Sequence, residues 1–222
     1  MARKLLRLAL PVFAFLLAVL TGWGLSSWRE YFADGARAGV MLIAVFAAGI
    51  VLLQNLDIYI LRLGKSKLGS QSWVLLTLTV ASVGLLWFFP FADRRQILTL
   101  HHPQIWRWMG LTLCTLGVAV RLLALGKLGK QFSAYVTIQE GHELVQSGIY
   151  GVIRHPLYLS LLLAGPGFAL VFRSLLIWPI LAVTLVFISV RIRQEERLLA
   201  TEFGDAFARY HARTWALVPC IL

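Results

Sequence analysis

The stretch RHPLYLSLLLAGPGFALVFRSLLIWPILAVTLVFISVRIRQEE, residues 154–196, decides how this chain is built. It opens on an arginine, a histidine and a proline and closes on two glutamates. Between them lie two apolar runs, Leu157–Phe172 and Leu175–Val190, separated only by Arg173 and Ser174. Two such runs with so short a link predict a tight hairpin of helices. The end of the second helix then returns to the start of the first, so Arg154, His155, Glu195 and Glu196 meet at one membrane face. The first run is short for a full crossing and contains GPG at 165–167, which leaves a kink or a partial span as the competing view.

Working outward, composition identifies the solvent. The chain has 222 residues, is 59% hydrophobic and 14% charged, and its mean hydropathy is +0.77. That is the balance of a membrane protein. Four more apolar stretches precede the hairpin, from Leu8 to Trp28, Ala36 to Leu61, Trp73 to Phe91 and Ile105 to Leu125, making about six spans. Trp23, Trp28, Trp73, Trp87, Trp106 and Trp108 lie near their boundaries, where indole rings anchor at the interface. The N-terminal MARKLLRLALPVFAF has the charged start and apolar core of a secretory signal but runs on without a small-residue cleavage site, and is read as the first anchor.

Charge placement orients these spans. The N-terminus, second and fourth loops and C-terminal tail, with Arg121 at the inner end of the fourth span, hold 15 of the 21 Lys and Arg residues. By the positive-inside rule both termini and the RHP stretch are cytoplasmic, in what reads as a bacterial inner membrane. The net charge of +11 suits contact with anionic membrane lipids. It does not suggest nucleic-acid binding, because the basic residues flank spans and form no continuous groove. Cys114 lies within a span and Cys220 near the end, so neither a disulfide framework nor a metal cluster is expected. His101 and His102 lack ligand spacing, and Arg121 can snorkel. Asp57, after Gln54 and Asn55, should pair with a basic residue or line a polar entrance.

Chemistry concentrates in the C-terminal part. The connection from Gly126 to Pro156 is too long for a minimal helix link. Six of the ten acidic residues and three of the five histidines follow Gln139. Pro156 suits the first turn of a helix, which puts His155 at its opening beside unpaired amides. Arg154 can aim a guanidinium at a carboxylate or phosphate, with Tyr158 one turn on. Two domains are expected, a four-span membrane region over 1–125 and a catalytic core over 126–222.

LGKQFS, GHELVQSGIYGVIRHPLY and RIRQEERLLATEFGDAFARYHARTWALVP together resemble the integral-membrane methyltransferases that include isoprenylcysteine carboxyl methyltransferases and phospholipid N-methyltransferases. The resemblance implies that His142, Leu144, Val145, Tyr150 and His155 help enclose S-adenosylmethionine. It further implies that Glu195 and Glu196 close the polar pocket, Glu196 on the cofactor side and Glu195 as a catalytic residue. Arg154 is implied as the catalytic or substrate-orienting residue. The family often has Trp, Thr and Gly where this chain has Phe132, Gln146 and Ser160, and the last exchange bears on how closely the paired helices pack.

The expected fold class is therefore all-α, a polytopic membrane helix bundle with about six transmembrane helices, a C-terminal helix hairpin and a cytoplasmic cofactor pocket. The expected activity is methyl transfer from S-adenosylmethionine to a hydrophobic or lipid-like acceptor, foremost a carboxylate. A carboxylate is already ionised at neutrality; an amine of a phospholipid or a small thiol would need a proton acceptor such as His155 or a glutamate. A nicotinamide-dependent membrane reductase and a small transporter or scaffold are the readings of other classes, though no inverted halves are apparent.

Overall fold

The computed structural model describes residues 2–53, 72–128 and 144–218, with side chains for 13–47, 49–50, 83–128 and 144–218. Helix α1 spans Ala2–Trp23 and stops where Gly24 adopts φ 110°. A 3-10 turn, Leu25–Ser27, leads into the short α2, Trp28–Phe32. Asp34 Oδ1 then accepts the amides of Ala36 and Arg37, both at 3.1 Å, and so caps the start of α3, Gly35–Leu53. Helix α4, Ser72–Arg95, carries Pro90 near its end. Helix α5, Pro103–Leu128, begins on a proline whose absent amide is not missed at that position. A second 3-10 turn, Gly148–Gly151, precedes α6, Pro156–Val171, and α7, Ile177–Ala212. Only two isolated β-bridges, Thr99 with Ser174 and Ile153 with Trp215, interrupt the helical architecture among the described residues.

Among the described residues, six helices of 16 residues or more follow one another in the order of the expected apolar runs. Among the described residues, α5 and α7 are long and apolar enough to cross a membrane. Helix α6 has 16 residues, about 24 Å at the helical rise, and falls short of the hydrocarbon thickness as its length suggested. The sixth apolar run was expected to end at Val190, and α7 instead runs past it to Ala212. Polarity ends a membrane stretch but not a helix, and Arg, Gln, Glu, Leu and Ala beyond Val190 are all good helix formers. Gly204, at φ 47° and ψ −123°, breaks α7 and turns its last two turns back toward the hairpin's opening. The end of the second expected span, Asp57 and Phe132 lie outside the described residues.

Helix α5 packs more extensively against α6 than any other pair of elements does. The reason is a seam of small residues. A Cβ on Gly110 would lie 2.5 Å from the Val171 amide nitrogen and 2.6 Å from the Gly167 oxygen. One on Gly117 would meet Ala164 N at 2.8 Å and Ser160 O at 3.0 Å. Ser160, standing where a glycine was expected, is buried in this seam and turns its hydroxyl back to Leu157 O at 2.6 Å, so its extra atoms do not part the helices. Beyond it, Phe168 and Phe172 meet edge-on, 5.0 Å between centroids, and join Phe89, Tyr31 and Val19 in the apolar core.

The far end of α6 is held by buried charge. Asp93, only 2% exposed, accepts Arg107 Nη2 at 3.1 Å and Arg173 Nε at 2.7 Å, and Arg37 Nη1 stands 3.6 Å away. Arg37 also gives Nη2 to Glu30 O at 2.8 Å and lies 4.2 Å over the Trp23 ring. One carboxylate thereby ties α3, α4, α5 and the α6–α7 turn together.

Candidate active site

The hairpin delivers the expected meeting. His155 is the N-cap of α6, and its carbonyl accepts the amides of Tyr158 and Leu159, both at 3.1 Å. Its side chain, 3% exposed, cannot remain without a polar partner, and Nε2 lies 3.1 Å from Glu196 Oε1. Arg154 donates Nε to the same oxygen at 2.9 Å. Tyr158, one turn into α6, donates its hydroxyl to Glu195 Oε2 at 2.9 Å. Consecutive glutamates on α7 thus take different partners: Glu196 joins Arg154 and His155, Glu195 joins Tyr158. Glu195 also stands 3.9 Å from His155 Nδ1 and is 39% exposed at its side chain.

Electrostatics follow from those contacts. Burial alone would raise the Glu196 carboxyl, but the hydrogen bonds from His155 and Arg154, with their charges, outweigh it and hold the group down at about 2. Glu196 is therefore a permanent anion at neutral pH.

The last segment of the chain, not singled out from the sequence as a strap, closes over the same opening. Arg154 Nη1 donates to His211 O at 3.1 Å and to Thr214 O, and Nη2 lies 3.2 Å from His211 Nε2. The backbone joins in, with Arg154 N on Trp215 O at 2.8 Å, His155 N on Ala216 O at 3.0 Å and Trp215 N on Val152 O at 2.9 Å. Tyr210, whose phenol burial pushes up to about 12, stays a donor and gives its hydrogen to Tyr150 O at 2.7 Å. Arg213 donates to Gln146 Oε1. The sequence held a signal for this strap in the glycine at 204, where a helix pattern continues on both sides of a residue suited to a turn.

The structure brings Arg154, His155, Glu195 and Glu196 together. Tyr150, buried, and Val145 and Leu144, half-buried, lead into them along the segment that Arg213 and Tyr210 fasten. His142 lies outside the described residues. Among the described residues no three His, Cys, Asp or Glu side chains cluster as metal ligands would. The donor set is two carboxylates, an imidazole and a guanidinium, suited to a cationic ligand beside an anionic one.

Comparison with known proteins points the same way. Residues 108–201 match the model of the isoprenylcysteine carboxyl methyltransferase (ICMT) family. Over 115 residues the chain is 37% identical to cobalt-zinc-cadmium resistance protein CzcN of Cupriavidus metallidurans, covering 50% of this chain and 51% of that protein. It is 32% identical over 119 residues to protein-S-isoprenylcysteine O-methyltransferase B of Arabidopsis thaliana, covering 50% and 58%. With protein-S-isoprenylcysteine O-methyltransferase of Saccharomyces cerevisiae it shares 29% over 170 residues, 73% and 67%. The first two matches thus span little more than half of each relative's length. The solved structure of a eukaryotic intramembrane Ras methyltransferase, ICMT, has the same fold at a TM-score of 0.58 and 20% identity, over 93% of this chain and 74% of that one.

Proposed function

We propose that this chain, whose residues 108–201 match the isoprenylcysteine carboxyl methyltransferase family model, is an integral-membrane methyltransferase of that kind that esterifies a carboxylate on a hydrophobic, lipid-like acceptor. The observation that carries the reading is the arrival of Glu195 and Glu196 from α7 on Arg154, His155 and Tyr158 at the start of α6. S-adenosylmethionine, when bound, supplies a methyl group activated by its positively charged sulfonium. The residues fit such a donor: an exposed edge of Glu195 and the anionic Glu196 offset positive charge, and the Leu144–Val145 segment offers backbone and apolar contact. His142, Leu144, Val145, Tyr150, His155 and Glu196 are assigned to its enclosure.

The catalytic assignments are Arg154, which orients the acceptor, and Glu195, whose exposed carboxylate edge offsets the donor's charge. Arg154 has given Nε, both hydrogens of Nη1 and one direction of Nη2 to Glu196 and the strap, and the remaining Nη2 hydrogen is the one available to orient a carboxylate. An acceptor carboxylate, with an ordinary pKa of about 4, needs no base at neutral pH, so the site's task is alignment and charge organisation. All six long helices are assigned as spans, with both termini and this site cytoplasmic, as the basic loops favour. The division into a four-span region over 1–125 and a methyl-transfer core over 126–222 belongs to the same proposal.

The test is incubation of the purified protein in bilayers with labelled S-adenosylmethionine and membrane extract. A base-labile methyl ester is expected. A stable methylamine or thioether would move the assignment to N- or S-methylation, and folded protein that neither binds nor uses the donor would refute the enzyme.

A further inference from the structure

At the end of the bundle opposite the site, α1 and α4 part to leave a groove of about 470 Å³. That volume suits a small ligand headgroup. Its base is closed because Gly22 lets the backbones touch: a Cβ there would lie 2.2 Å from Trp87 O. Its upper wall is Arg94 and Arg95. Gly24, at φ 110°, turns the chain away after Trp23, and Arg94 takes the Trp23 carbonyl at 2.5 Å and Ser27 Oγ at 2.5 Å. Both acceptors are neutral, so the guanidinium keeps its charge. Arg95 lies 4.3 Å over the Phe91 ring, which stacks on Trp87 at 4.9 Å. Among the described lining residues there is no carboxylate, and the contacts of the two arginines are to neutral groups, Trp23 O, Ser27 Oγ and the Phe91 ring.

We propose that this groove binds the phosphate of an anionic phospholipid. Two guanidinium groups without a counter-charge among the described residues, on an exposed helix end, match a phosphodiester in charge and hydrogen-bonding geometry. A free phosphate would satisfy the same donors. The apolar path tells them apart: Trp87, 41% exposed, and Val83, 52% exposed one turn deeper on α4, continue the groove toward the membrane centre where an acyl chain lies. Helix-dipole compensation by the two arginines at the end of α4 needs no such groove and predicts no lipid preference. The site is independent of methyl transfer.

The test uses full-length protein reconstituted in bilayer discs of equal parts phosphatidylglycerol and phosphatidylcholine, then released for native mass spectrometry. Retention of phosphatidylglycerol over phosphatidylcholine is expected, falling about fivefold for each of Arg94→Gln and Arg95→Gln, the factor of one cation at an anionic membrane surface. Arg29→Gln, outside the groove, should leave it unchanged. Arg95 holds no backbone group, so its variant tests the site even where Arg94→Gln disturbs the turn. Equal retention of both lipids by the wild type, an undiminished preference in Arg95→Gln, an equal fall in Arg29→Gln, or displacement by inorganic phosphate would each overturn the proposal.

Discussion

Arg154 Nε and Glu196 Oε1 stand 2.9 Å apart across 42 residues of chain, and His155 Nε2 shares the same oxygen at 3.1 Å. This contact joins the two helices of the hairpin at their open end, and the strap then ties itself to the guanidinium. Glu196→Ala should therefore release Arg154 and the strap together. Loss of a charge-assisted hydrogen bond of this kind costs about 1.5–3 kcal/mol. The expected outcome is a lowered thermal midpoint in detergent and a fall in methyl transfer larger than the fall in folded protein. Arg154→Lys should not restore transfer, because an ammonium cannot serve Glu196, His211 and Thr214 from one planar fork.

The same contact sets a pH dependence. Glu196 is depressed in the folded chain, so its stabilising contribution is fully present above its ordinary value of 4.5 and lost as pH falls toward about 2. The difference in thermal midpoint between wild type and Glu196→Gln should be constant from neutrality down to that upper limit and shrink below it. A difference that changes around neutral pH would mean that another group governs the contact.

Much of this was legible in the chain because the length of an apolar run, and of the link between two runs, are local signals. A link of Arg173 and Ser174 leaves little freedom, so the pairing of the RHP and EE motifs followed from sequence distance alone. Which glutamate meets which partner was not readable, because adjacent positions on α7 point 100° apart and the helix's rotation is set by packing. The strap was hidden for a related reason. Its hydrogen bonds are mostly to backbone carbonyls, as at Thr214, Trp215 and Ala216, which any residue offers. The Asp93 cluster escaped notice because Arg37, Asp93, Arg107 and Arg173 stand far apart, each resembling an ordinary boundary charge.

The α5–α6 seam separates glycines that touch from glycines that do not. At Gly110 the obstacles to a Cβ are backbone atoms of Val171 and Gly167, which cannot step aside as a side chain would. Gly110→Ala should destabilise by about 1–3 kcal/mol. At Gly84 a Cβ meets nothing within 4 Å, so Gly84→Ala should be neutral or stabilise α4 by about 0.5–1 kcal/mol. Thermal midpoints of the two purified variants against wild type check both signs.

Asp93 carries the buried charge on which three arginines converge, and removing it leaves them with too little to face. Arg107 and Arg173, at 6% and 12% side-chain exposure, have almost no access to water in compensation. Asp93→Asn keeps the shape but loses the charge, and breaking a buried pair in this way costs about 3–5 kcal/mol. The expected outcome is a sharply reduced yield of folded protein, with the donor affinity of the surviving fraction unchanged because Arg154 lies at the other end of α6. If the cost arises from stranded positive charge, removing part of that charge should recover some of it. Asp93→Asn combined with Arg173→Gln should thus be less destabilised than the sum of the two single variants, and strict additivity would show that Asp93 and Arg173 do not act as one unit.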